Sequence, residues 1–93
     1  MKVVFTELFE QAYEKLASAE KRSVRKALAL LGDNPKHPSL RVKKMEGKQH
    51  IWEARPSKRL RMRFEMVGET IVVRNVGQHD RVLKSHEFLR SPT

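Results

Sequence analysis

Cysteine is absent from the 93 residues, so neither a disulfide frame nor a thiolate metal site is available. The longest unbroken apolar run is ALALL, residues 27–31, far shorter than a membrane span or the apolar stretch of a signal segment. The four histidines, at 37, 50, 79 and 86, have no ligand-like spacing with one another or with acidic residues, which argues against a dedicated metal centre. Also missing are a glycine-rich phosphate loop, a G-x-S-x-G elbow, and any serine in the setting of a nucleophile. Thiol, zinc, nucleotide-loop and serine-hydrolase chemistries are therefore poor fits. A reducing cytoplasm is the simplest location, and no membrane association is expected.

Positive charge is abundant instead. Twenty lysines and arginines face eleven acidic residues, a formal net charge of +9. The surplus is concentrated: residues 41–63 hold nine basic and two acidic side chains, whereas residues 64–93 hold four of each. Scattered charge would serve solubility, but a clustered surplus is the electrostatic footprint of a polyanionic partner. Apolar residues make up 39% of the chain, sufficient for one modest core in one domain.

The hydrophobic pattern predicts an α+β fold. MKVVF reads as a strand, and Thr6 is placed to cap a helix whose apolar stripe is Phe5, Leu8, Phe9, Ala12 and Leu16, flanked by Tyr13. Ser18 is the expected cap of a second helix carrying Val24, Ala27, Leu28 and Leu31. That helix should stop at Gly32, ahead of Pro35 and Pro38. DNPKHPSLRVKKMEGK reads as an irregular connection. HIWEAR, RLRMRFEM and TIVVRNV read as strands, the last two joined by a hairpin turn at Val67-Gly68-Glu69. The remainder, from Gln78, allows at most one helical turn. The expected order is β-α-α-β-β-β, with a mainly antiparallel sheet beneath a helical hairpin.

RPSKRLRMRF, residues 55–64, raises the functional question. Alternate residues of a strand point the same way, about 7 Å apart. If Leu60, Met62 and Phe64 enter the core, then Arg59, Arg61 and Arg63 share the other face. Arg55, opposite Trp52 in the preceding strand, joins them. Such a row repels itself unless an anion lies across it, and bidentate hydrogen bonding suits arginine to phosphate. The plainer alternative is a solvated face, with Glu53 and Glu65 neutralising two of the four arginines. Arg41, Lys43, Lys44 and Lys48 upstream tilt the balance toward nucleic acid. His79, in VGQHD, follows the last strand, and an imidazole with an unperturbed pKa near ~6.5 can exchange protons at neutral pH.

In their order and spacing, the blocks NPKHPSLRVKKMEG, IWEAR, LRMRFE and IVVRNVGQHDRVLK resemble the RelE/ParE toxin superfamily of toxin–antitoxin systems. The resemblance spans residues 1–85, taken as a single RelE-like domain, and leaves 86–93 as a short tail. It implies two N-terminal helices packed on a four-stranded, mainly antiparallel sheet. It also implies a bacterial toxin that cleaves messenger RNA on the ribosome, without metal or cofactor, and that is held inactive by an antitoxin with an acidic segment. By position, Arg61 would hold the scissile phosphate and Arg55 an adjacent one. Lys43 and Lys44 would lie near the 2′-hydroxyl, His79 would exchange a proton, and Arg59, Arg63 and Arg81 would contact RNA. The chain departs from the nuclease pattern at Leu83, where many members carry a tyrosine, and its only tyrosine, Tyr13, belongs to a helix. The same superfamily contains ParE-like inhibitors of DNA gyrase. The departure at Leu83 also admits a nontoxic relative that only binds RNA or an acidic partner.

Overall fold

The structure is a computed structural model that describes residues 1–45, 47 and 50–78. Strand β1 (Lys2–Phe5) is followed by helices α1 (Glu7–Glu14) and α2 (Ser18–Asp33) and a 3-10 turn at Pro38–Leu40. Strands β2 (Lys43–Lys44), β3 (Ile51–Ala54), β4 (Leu60–Val67) and β5 (Thr70–Gln78) complete the order. The sheet runs β1-β5-β4-β3-β2 and is antiparallel except where β1 lies parallel to β5. The α+β architecture is as the sequence predicts, with one more strand. β2 is two residues long and too short to show a period, so its stretch reads as loop.

Each helix end has a local cause. The Thr6 hydroxyl accepts from the Phe9 N–H at 3.1 Å, capping α1, and itself donates to the Arg74 carbonyl at 2.9 Å, fastening the helix start to β5. At α2 the cap is Ala17 rather than Ser18. A glutamate three residues on, Glu20, reaches back to accept from the Ala17 N–H at 3.0 Å. Nor does Gly32 stop this helix, which runs on to Asp33. Its missing side chain serves packing instead: a Cβ there would stand 3.3 Å from Val3 Cγ2 and 3.7 Å from the Met1 carbonyl, so β1 crosses the helix closely.

The helices cover one face of the sheet. Phe9, Val24, Ala27 and Leu31 meet Leu60, Met62, Phe64, Ile71, Val73 and Val76 in a single buried cluster. Along β4 the apolar alternation holds throughout. Along β5 it breaks, because Arg63 pairs with Asn75 while Phe64 pairs with Val73. Arg74 is the extra residue of a β-bulge. It shifts the phase by one position, so that Val76 turns inward and Asn75 outward. The β4–β5 turn closes between Val67 and Thr70, with Gly68 at φ +61°.

Candidate nucleic-acid interface

Because Leu60, Met62 and Phe64 are fully buried against the helices, Arg61 and Arg63 occupy the opposite face of β4. The pairing register builds a polar row across four strands: Lys43 opposite Glu53, Glu53 opposite Arg63, and Arg63 opposite Asn75. Arg61 stands one step along, opposite Gly77. The expected open row of guanidiniums is not what this face presents. Arg61 is 8% and Arg63 4% exposed, and Glu53 at 5% is buried between them. Arg61 Nε lies 3.7 Å from Glu53 Oε1 and Arg63 Nε 3.5 Å from Glu53 Oε2, one carboxylate serving two cations.

The physical reason is cross-strand placement. Glu53 shares the face and register of Arg63, so its two oxygens reach both guanidiniums. Arg61 Nη1 also donates to the carbonyls of Lys58 and Leu60, both at 3.0 Å, folding back on the segment that precedes its strand. Burial pushes the Arg63 pKa below its ordinary value, and the Glu53 carboxylate opposes that shift. Among the described residues, Arg61 Nε and Arg63 Nε and Nη1 lack hydrogen-bond partners. Glu65 turns instead to Arg74, with which it forms an ion pair.

Other cations remain accessible. Arg55, directly after β3, is half-buried, and its backbone N–H donates to the Leu40 carbonyl at 2.8 Å, tying the end of β3 to the 3-10 turn. Arg59, just before β4, is exposed, as are Arg41, Lys43, Lys44 and Lys58. Among the described residues none of these six forms an ion pair. Lys43 and Lys44 belong to a strand and therefore point to opposite faces. Lys43 heads the polar row, whereas Lys44 lies beside Trp52 on the core side, its Nζ 6.0 Å from the ring centre. The structure thus separates two lysines that the sequence placed together.

No protein-family model and no curated protein sequence matches the chain. Solved structures do. A chain of the RelB–RelE antitoxin–toxin complex from Methanococcus jannaschii superposes with a TM-score of 0.75 at 16% identity, over 88% of this chain and 96% of that one. The archaeal RelE–RelB complex from Pyrococcus horikoshii OT3 gives 0.71 at 19% identity, over 86% and 96%. The YoeB/ParE toxin from Agrobacterium tumefaciens gives 0.71 at 16%, over 85% and 99%. The chain has the RelE-like toxin fold.

Within this RelE-like fold the described residues bring Arg55, Arg59, Lys43, Arg61 and Arg63 to the β3–β4 part of the sheet. Two of the five are committed to Glu53. His79 and Arg81 lie outside the described residues, as does Leu83. Tyr13 sits in α1, where its hydroxyl accepts from Arg25 Nη1 at 2.8 Å. His37 is structural, since its Nδ1 accepts from the Ser39 N–H at 3.1 Å at the start of the 3-10 turn. Among the described residues no group of three or more histidine and acidic side chains is arranged to hold a metal, and no helix is long and apolar enough to cross a membrane.

Proposed function

We propose that this protein is the toxin of a toxin–antitoxin pair and cleaves messenger RNA on the ribosome without a metal. The reading is supported by the RelE-like fold together with an exposed set of cations, unpaired among the described residues, that surrounds the end of β3. In this reading Arg55 takes the scissile phosphate, and Arg59 and Lys43 hold RNA beside it. Arg61 and Arg63 act from beneath the surface, Arg61 by holding the Lys58 carbonyl and Arg63 by sharing Glu53. His79 is assigned the proton transfer, and Arg81 a further RNA contact.

The chemistry is transesterification. A base removes the 2′-hydroxyl proton, the 2′-oxygen attacks the neighbouring phosphorus, and the bond to the 5′-oxygen breaks as an acid protonates it. The products are a 2′,3′-cyclic phosphate and a 5′-hydroxyl. Cations that face the phosphoryl oxygens stabilise the additional negative charge of the five-coordinate transition state. An antitoxin with an acidic segment would neutralise the same exposed cations. The complexes from M. jannaschii and P. horikoshii each contain a RelB partner.

Induced expression of the wild-type chain in a bacterial host is expected to arrest growth, and Arg55→Ala to relieve the arrest with the protein still folded. Continued growth at high wild-type expression would overturn the reading. Arrest with intact RNA and relaxed plasmid DNA would point instead to gyrase inhibition.

A further inference from the structure

Beside the end of β3, Ser39, Arg41, Arg55, Pro56, Ser57 and Lys58 line an open hollow of about 370 Å³. Three cations and two hydroxyls lie along it, and none of its described lining residues is a carboxylate. The volume falls within the range of about 300–1,000 Å³ typical of small-ligand pockets. It has room for a phosphodiester group and part of its nucleotide.

Two further observations single the hollow out. The first is the backbone of Arg41, at φ 48° and ψ 47°, the sole non-glycine residue with positive φ among the described residues. Glycine or asparagine takes this left-handed conformation at lower cost, so an arginine here, at the end of the 3-10 turn, carries a backbone penalty. The second is that both walls are fixed in advance. The Arg55 N–H bond to the Leu40 carbonyl joins them, with Leu40 itself buried. Arg61 Nη1 holds the Lys58 carbonyl from below. A backbone frame that needs no rearrangement loses less on binding.

The geometry points to a phosphodiester subsite for single-stranded RNA in this hollow, with Arg41 and Lys58 as its cations and the Ser39 and Ser57 hydroxyls as its neutral donors. It takes the phosphate next along the strand from the one assigned to Arg55, and so rests on the reading of the protein as an RNA-directed toxin. Paired arginine and lysine with two hydroxyls match the several oxygens of a phosphate better than a single carboxylate. Arg61 is a positioning residue for the subsite.

The test uses the full-length protein and a fluorescent 2′-O-methyl RNA 12-mer, which binds but cannot undergo attack by a 2′-hydroxyl. Affinity is measured over a salt series for wild type, Arg41→Gly and Lys58→Gln. Each substitution should weaken binding roughly two- to fivefold, the range of one exposed charge contact. Each should also reduce the slope of log K against log salt by about 0.7, the share of one phosphate on a single strand. Arg41→Gly removes the side chain at a backbone position that suits glycine, so its melting temperature should equal or exceed that of wild type. Unchanged affinity and slope in both variants would overturn the subsite. So would amide shifts at Ser57 and Lys58 that appear with inorganic phosphate or an oligoglutamate peptide but not with the RNA. A reduced slope in a protein that never arrests growth would uphold the subsite and remove the toxin reading. Growth arrest with an unchanged slope would do the reverse.

Discussion

Glu53 matters because two buried guanidiniums share it. Removing one partner of a buried ion pair leaves an uncompensated charge, at a cost of about 3–5 kcal/mol. Glu53→Gln should lower unfolding free energy by about that amount in urea titrations, and a loss below about 1 kcal/mol would show that Arg61 and Arg63 are held by something else. Arg63→Met should behave differently. The folded state binds the Arg63 proton less tightly than the unfolded chain does, because burial lowers its pKa. This group therefore opposes folding throughout the neutral range, and its penalty fades only as pH rises through the folded-state value. A methionine there leaves Glu53 to Arg61 alone, and stability should change by less than about 1 kcal/mol or rise. The sequence revealed which face these arginines take, through Leu60, Met62 and Phe64. It did not reveal their burial, which depends on a cross-strand neighbour whose register is set by β3 and β4 together.

At the scale of elements, the alternation of β4 and the stripe of α2 were legible because each is a long segment with one period. In the eight-residue α1 the expected stripe holds only in part: Phe9 is buried, whereas Phe5, which belongs to β1, and Leu8 stay exposed. The features that escaped are those where the period breaks. In β5 a strict alternation from Ile71 and Val73 would send Asn75 into the core, and only the bulge at Arg74 restores Val76 to it. β2 has no period at all, so Lys43 and Lys44 read as neighbours on a loop although the strand divides them between two faces. The cap of α1 is a tertiary joint as well as a local one, since the Thr6 hydroxyl bonds both Phe9 and Arg74. Thr6→Ala should therefore cost about 1–2 kcal/mol, at the upper end for a helix cap. Thr6→Ser, which keeps both hydrogen bonds, should recover most of that loss in the same denaturation assay. Equal losses in the two variants would show that the methyl group, and not the hydroxyl, carries the effect.

The molecule as a whole divides its apolar and charged side chains between the two faces of its sheet. One face carries the apolar cluster beneath the helices, and the other a nearly neutral buried row whose excess charge is a single cation shared among Glu53, Arg61 and Arg63. Accessible charge on this side is thereby left to the rim, at Arg41, Lys43, Arg55, Lys58 and Arg59, all drawn from the segment where the sequence concentrates its surplus. Composition disclosed that segment, but chain folding decided which of its cations stay accessible. The proposal that the rim serves RNA cleavage is tested most directly by the chemistry of the RNA ends. Wild-type and Arg55→Ala protein would be added to a reconstituted translation reaction, and the messenger fragments characterised at both termini. Fragments ending in 2′,3′-cyclic phosphate and beginning with 5′-hydroxyl are expected for the wild type, and intact messenger for Arg55→Ala. Intact messenger with the wild-type protein, or fragments bearing 5′-phosphates, would contradict the proposal.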